Sequence, residues 1–366
     1  MVKICFCAIF RNESKNVYRC LDAVKQLITS VSICDTGSED NTIELIEQWG
    51  KENEIPTKVH KEPFKNFSYN RSLSFDLAKT TFPDEEYCLL IDADMVLVIE
   101  NPLPISLVKE QYLFLQKNGG VEYWNTRLIN MKYNWTCTGA THEYWEIPDH
   151  DYKSNKLAEI WIDDINDGGH KANKHERDIQ LLTDEINDKD TDKWLKGRDM
   201  FYLAETYRHK GDYDKSIEWH NKKIDIGGWT EEVFYSMYRL GTLYEKKEEY
   251  DMAASKYLNA WNYRPSRAEP LYHLSKMYRV MGKKYSKLAH TFATLAKAIK
   301  YPDNDTLFIE PAVYLYLPDY EIAICSYYIQ EFDDGIKSCK KLLTMKNEIP
   351  DSIYSRVKKN FKFYTD

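Results

Sequence analysis

Tyr87-Cys88-Leu89-Leu90-Ile91-Asp92-Ala93-Asp94 is an apolar run that ends on two carboxylates two residues apart. It reads as a buried strand finishing at Asp92. Parallel sheets bind ligands at the carboxyl ends of their strands, so both acids are delivered to one crevice. Paired hard oxygens there suit Mg2+ or Mn2+, ions that leave positions open for phosphate oxygens. The ordinary alternative is a polar strand end, because an Asp-x-Asp triplet recurs by chance.

Upstream of this run, short apolar segments alternate with amphipathic ones. Residues 2–10, 31–34 and 57–60 read as strands. Residues 16–28, 42–53 and 68–79 read as helices, the second behind an Asp40/Asn41 cap. The order is βαβαβαβ, an open α/β sheet. Downstream of Leu97 the alternation fades into aromatic and polar segments as far as Asp167. A helix is expected over 176–186, with Ile179, Leu182 and Ile186 on one face, clamping the later helices onto the sheet.

From about Thr191 the pattern is all helix, and it repeats. Gly241, Tyr244, Ala253, Tyr257, Ala260 and Pro265 fall at the six signature positions of a 34-residue tetratricopeptide repeat. Ala204, Tyr207, Ser216 and His220 fit the preceding unit, and looser units come after it over 274–298 and 323–343. Small residues let paired helices approach while aromatics fill the gaps, and neighbouring units must stack to bury either face. Three and a half to four repeats are expected, giving two domains, 1–190 and 191–366.

The chain has 366 residues, 50 Lys and Arg against 58 Asp and Glu, and a net charge of -8, which disfavours binding along a nucleic-acid duplex. Its 8 cysteines include no CxxC pair and read as reduced thiols. With no apolar run long enough for a membrane span and no leader at its first strand, the expected location is cytoplasmic. Dinucleotide, P-loop and GxSxG fingerprints are missing, which disfavours dehydrogenase, kinase and α/β-hydrolase readings.

Three further segments stand in a telling order with Asp92-Ala93-Asp94: Phe10-Arg11-Asn12-Glu13, Asp35-Thr36-Gly37-Ser38-Glu39-Asp40-Asn41-Thr42, and Phe67-Ser68-Tyr69-Asn70-Arg71-Ser72-Leu73. Together they resemble family 2 glycosyltransferases of the GT-A fold. With the repeats, the whole chain resembles the branch that contains the bacteriocin S-glycosyltransferases. The fold class implied is a mainly parallel α/β GT-A nucleotide-sugar domain followed by an all-α, tetratricopeptide-like domain.

The resemblance implies a UDP-sugar donor and a divalent metal. Asp35 would pair with the uracil, with the cap at Asp40 or Asn41 leaving it free to do so, and Gly37 would belong to the nucleotide-sugar-binding set with it. Arg71 would reach the base or diphosphate, and residues 10–13 would wrap the uridine. Asp92 and Ala93 would lie near the ribose and metal, and Asp94 would ligate the metal. A second block, Arg127-Leu128-Ile129-Asn130, then Gly139 and His142-Glu143, resembles a later segment of the same branch, and Asp167-Gly168-Gly169-His170 with Arg177 resembles its closing one. His170, then His142, are the histidines expected to complete the metal shell. Inverting transfer needs a base for the acceptor proton, for which Glu143 is the first candidate, with Asp163 and Asp164 behind it. A salt bridge is the plain alternative for Glu143.

Met95 stands where the branch carries a glutamate, and Ser72 where it carries an asparagine, which leaves sugar selectivity open. Tyr123, Trp124, Trp135, Tyr144 and Trp145 are candidates for stacking on a sugar or for the core. The function expected is inverting, metal-dependent transfer of a hexose or N-acetylhexosamine from a UDP-sugar to a protein, peptide or glycan acceptor, with the repeats recruiting a polypeptide or forming a homodimer. The rival is an interaction scaffold with a degenerate nucleotide domain.

Overall fold

The computed structural model describes residues 2–101, 107–118, 121–148, 150–168 and 174–365. Two compact units divide it, Met1–Thr206 and Tyr207–Asp366.

The first unit opens with β1 (Ile4–Phe10), α1 (Val17–Val24), β2 (Ser30–Asp35), α2 (Thr42–Glu52), β3 (Thr57–Lys61), α3 (Phe67–Thr81) and β4 (Tyr87–Leu90). These are the seven elements expected from the alternation, within a few residues at each end. Then come β5 (Met95–Ile99), β6 (Gln111–Asn118), β7 (Val121–Asn130), β8 (Thr136–Thr138), β9 (Tyr144–Glu146), β10 (Ser154–Asp164), α4 (Lys174–Asn187) and α5 (Lys193–Lys210). Eight strands form one sheet in the order β3-β2-β1-β4-β7-β6-β10-β5, and β8 and β9 form a separate ribbon. β1 pairs in parallel with β2 and β4, as β2 does with β3 and β6 with β10, while β7 and β5 run antiparallel to their neighbours.

Side chains alternate across a strand, and here the alternation builds two cores. Ile4, Phe6, Ala8 and Phe10 of β1, with Tyr87 and Leu89 of β4, pack with Val17, Leu21, Ile46 and Trp49 of α1 and α2. Cys5, Cys7, Cys88 and Leu90 point the other way, onto Phe75 and Ala78 of α3. Chain order reverses at β1, which has β2 on one side and β4 on the other. This switch point opens a crevice beyond the carboxyl ends of β1, β2 and β4.

The strands after β4 escaped the sequence reading for physical reasons. β7 reads Val-Glu-Tyr-Trp-Asn-Thr-Arg-Leu-Ile-Asn, with Tyr123, Asn125 and Arg127 turned into a cavity, so one face has no apolar period. β10 shifts register between Leu157 and Trp161, which breaks its period of two. The first unit also runs to Thr206 and so takes in most of α5. Trp194 packs edge-on against Tyr144, and Tyr202 stacks on His142.

The second unit contains α6 (Tyr213–Ile226), α7 (Thr230–Lys246), α8 (Tyr250–Tyr263), α9 (Glu269–Met281), α10 (Ser286–Ala298), α11 (Pro311–Leu315), α12 (Leu317–Tyr328), α13 (Phe332–Thr344) and α14 (Asp351–Lys362). Helices pair as α7 with α8, α9 with α10 and α12 with α13. A Cβ at Gly241 would stand 2.6 Å from Cε1 of Tyr257, and one at Gly335 would stand 2.6 Å from Cε1 of Tyr364. Absence of a side chain is what lets these aromatics seat. Gly241→Ala gains about 1 kcal/mol of helix propensity but overpacks a fully buried ring at a cost of about 1–3 kcal/mol. A net loss of stability is therefore expected in urea denaturation of the full chain, and an unchanged or raised midpoint would show that the ring can yield.

No helix among the described residues is long and apolar enough to cross a membrane.

Candidate active site

A cavity of about 430 Å³ fills the crevice at the switch point. Phe10, Arg11 and Glu13 enter it from the end of β1, Thr36 from β2, Arg71 from α3, and Asp92, Ala93 and Asp94 from β4. His142, Glu143 and Asp164 also line it, as do Lys174 and Arg177 of α4. Residues far apart in sequence thus meet in one place.

Strand parity decides where the two aspartates point. Asp92 continues the series Cys88, Leu90 and faces α3, where Arg71 lies. Its Oδ1 is 2.8 Å from Nη2 of Arg71, and its Oδ2 is 3.9 Å from Nη1 of Arg127. Burial alone would raise this carboxyl, but the two guanidiniums outweigh it and hold Asp92 below the usual range. Arg71 also pairs through Nε with Glu143, so one guanidinium bridges both acids. Glu143 therefore sits inside an ion pair, the plain alternative, and also at the cavity wall.

Asp94 has the opposite environment. It accepts from the Gly168 amide at 3.2 Å. Burial first, then the nearby charge of Asp92 and, more weakly, of Asp164, pushes its carboxyl up. A Cβ at Gly168 would stand 2.9 Å from Oδ2 of Asp94 and 3.1 Å from Oε1 of Glu13, so the two carboxylates converge on one small space. Arg19 secures this wall by a bidentate pair with Asp167, at 2.8 and 2.5 Å.

Asn12, Asp35, Gly37 and Asp163 do not line this cavity. Asp35 is buried and accepts from the amides of Gly37 and Ser38, at 3.0 and 2.9 Å, and from the Ser38 hydroxyl. It closes a turn in which Gly37 has φ 102°. The freedom expected for it, on the ground that a cap was supplied elsewhere, is thus largely taken up. Asp40 does accept from the Thr42 amide at 3.1 Å, while Asn41 makes no capping bond. Asn12 ties the first loop to the second, donating its amide to Ser38 Oγ at 2.9 Å and accepting from Glu39 N–H at 2.8 Å. His142 is exposed and lies flat on Tyr202, with ring centroids 4.0 Å apart. His170 is outside the described residues. Asp163 is exposed on β10 and does not line the cavity, whereas Asp164 does and accepts from Gln116 Nε2 at 2.8 Å. Of the aromatics, Trp135 and Trp145 are buried in the α3-face core, Lys156 sits over Trp124, and Tyr123 and Trp145 line the cavity.

Arg127 heads the second block of the resemblance but had no role assigned to it, and the structure gives it one. It donates to Leu90 O at 3.2 Å and Gln116 Oε1 at 2.6 Å while facing Asp92. Its signal was the polar series Tyr123, Asn125, Arg127 at a spacing of two, which reads as a strand face turned to a ligand once β7 is recognised.

Residues 5–101, which hold β1 to β5 and the paired aspartates, match the family model of glycosyl transferase family 2. The chain carries a family 2 glycosyltransferase domain. Residues 236–273 match a tetratricopeptide repeat, so the glycosyltransferase domain is followed by helical repeats. No curated protein matches the chain. Similar solved structures include a tetratricopeptide repeat protein from Parabacteroides merdae ATCC 43184, at 12% identity and TM-score 0.38 over 53% of this chain and 66% of that one. They also include MamA, at 17% and 0.38 over 48% and 91%, and YrrB, a TPR protein with an unusual peptide-binding site, at 14% and 0.36 over 51% and 88%. The family 2 domain supports glycosyltransferase activity.

Proposed function

We propose that the protein is an inverting glycosyltransferase that moves a hexose or N-acetylhexosamine from a UDP-sugar to a protein, peptide or glycan acceptor, using Mn2+ or Mg2+. The observation that carries this reading is the division of charge in the cavity. Asp92 and Glu143 are paired with arginine, while Asp94, which meets Glu13 at Gly168, is raised by burial and by the charges of Asp92 and Asp164.

Among the described residues no three acidic, histidine or cysteine side chains form a ligating group. Two converging carboxylates nonetheless fit a hard cation that takes its remaining oxygens from water and phosphate. Asp94 would hold it, with Glu13 adjacent. A divalent ion there would offset the charge that builds on the leaving diphosphate. Arg71 and Arg127 keep Asp92 ionised, and Asp92 would lie near the ribose. Lys174 and Arg177 line the cavity as further cations for a diphosphate. Glu143 would take the acceptor proton, with Arg71 fixing its orientation.

UDP release from a panel of UDP-sugars, followed with and without Mn2+ and without acceptor, tests the reading and reports the sugar. One donor hydrolysed in a metal-dependent way supports it, whereas no turnover and no UDP binding by calorimetry would overturn it. Gly168→Val would thrust a side chain into the carboxylate pocket. Weakening of Mn2+-dependent UDP binding by about thirtyfold is expected, since displaced ligands and crowding each cost of order 1 kcal/mol. Unaltered calorimetry in that variant would place the metal elsewhere.

A further inference from the structure

Links between helices of the repeat unit are short, except between α10 and α12. Three residues join α7 to α8 and five join α8 to α9, whereas residues 299–316, including the five-residue α11, separate α10 from α12. Part of this link, residues 305–310, lies along one face of α7 and α9 and is gripped there by side chains.

The grip is directed mainly at backbone. Glu231 Oε2 accepts from the amides of Thr306 and Leu307, at 2.8 and 2.7 Å. Arg267 donates to the carbonyls of Leu307 and Phe308, at 3.2 and 3.1 Å. Glu269 Oε1 accepts from the Glu310 amide at 3.2 Å. Five main-chain groups are thus satisfied by three charged side chains, exposed by only 6%, 1% and 1%. Side-chain selectivity comes at the ends. Asp305 pairs with Arg264 at 2.9 and 2.5 Å, and Glu310 accepts from the Tyr238 hydroxyl at 2.6 Å and pairs with His273 at 3.1 Å. Between them Leu307 and Ile309 are buried, and the Phe308 ring lies 5.0 Å from that of Tyr235.

Main-chain hydrogen bonds flanked by a few selective pockets are how proteins capture extended peptides. A link needed only to join two helices would satisfy its own backbone in turns or in water. The receiving side chains have a further property. Glu231, Arg267 and Glu269 are buried charges, so vacating the face without a replacement would leave them partly unpaired. Release is therefore coupled to capture of something with the same chemistry.

We propose that this face of the repeats is a binding site for an extended segment of another polypeptide, bearing carboxylates five residues apart with apolar residues at the second and fourth positions after the first, and that residues 305–310 occupy it as the chain's own stand-in. The segment Asp305-Thr306-Leu307-Phe308-Ile309-Glu310 is the template for that partner. Phe308 has φ 43°, a backbone conformation that bulky residues hold at a cost, so a partner without that kink would compete well. The proposal concerns the second unit alone and does not rest on the donor chemistry assigned to the first.

The test uses the full chain and a fluorescein-labelled peptide of residues 303–312. Replacing Asp305 and Glu310 by alanine loosens the resident segment and leaves Arg264, Arg267, Tyr238 and His273 in place. A site freed of its occupant binds in proportion to the open fraction, so this double variant is expected to bind the peptide about tenfold or more tightly than the unaltered chain. A peptide with both acids changed to alanine should bind neither. Equal or absent binding by a folded double variant would overturn the proposal. Should that variant fail to fold, hydrogen exchange of the unaltered chain decides. Amides of Thr306, Leu307 and Glu310 exchanging faster than those of α7 and α9 support a displaceable segment, and exchange as slow as the helices overturns it. Calorimetry with UDP reports separately on the glycosyltransferase site.

Discussion

Asp94→Ala is expected to lower metal-dependent donor turnover by about 10³-fold, or about 4 kcal/mol of transition-state stabilisation, with little loss of stability. The asymmetry arises from its environment. Asp94 is raised by burial and by the neighbouring Asp92 and Asp164 charges, and its resolved hydrogen bond comes from the Gly168 amide. Removing it therefore relieves repulsion within the folded chain while deleting the oxygen that would hold the cation. A thermal midpoint equal to or above that of the unaltered chain, together with lost turnover and lost Mn2+-dependent UDP binding, is the expected pattern. Asp94→Asn keeps shape and one oxygen and should recover part of the metal affinity. Full turnover in Asp94→Ala would remove the aspartate from the metal site and with it the main support for the donor chemistry.

How much of this was legible in the sequence depends on which physical signal each part carried. The parallel half of the sheet was readable because β1, β2 and β4 are buried on both faces and its helices are amphipathic, so apolar runs and 3.6-residue periods stand out. The aspartate pair was readable because it closes such a run. β6, β7 and β10 were not, because a strand that lines a cavity carries polar residues on the face that would otherwise report its period, and a bulge shifts the rest. Arg127 was visible in the second block, but for the same reason its place at the cavity was not. Asp35 shows a different limit: spacing gave its position at the end of β2, but not that the Gly37 and Ser38 amides fold back onto its carboxylate. In the repeats, Gly241 and Tyr257 stand at signature positions by spacing alone, and their contact is seen only in the fold. The segment 305–310 left no such trace, because its partners Glu231, Arg267 and Glu269 are charged residues that sequence places on a solvated face.

Glu143 and Arg71 bear on the one point where the carboxylates could be read either way. A base needs a proton-accepting oxygen at the acceptor, whereas a salt bridge needs only charge. The pair does both if Arg71 serves as the positioning residue that aims Glu143 while also holding Asp92.

Arg71→Ala is the second large effect expected, and it falls on stability as well as on activity. The guanidinium is mostly buried, with its side chain 17% exposed, and its two partners are 24% and 12% exposed. Its loss leaves Asp92, among the described residues, facing only Arg127 at 3.9 Å and removes the Arg71–Glu143 ion pair. Breaking one side of such a network costs about 3 kcal/mol, toward the low end for buried pairs because water still reaches these groups. In a unit of this size that lowers the midpoint by roughly 6–12 °C. Arg71→Lys keeps the charge but not the planar fork that spans both acids, so it should recover stability more than activity. Glu143→Gln supplies the discriminating arm. As the base, Glu143 should be needed for transfer to acceptor but not for UDP binding, and combining Glu143→Gln with Arg71→Lys should cost little more than Glu143→Gln alone, since an aimed group that is absent cannot be misaimed. Additive losses in that cycle would show that Arg71 acts on the donor directly and that the bridge to Glu143 is structural.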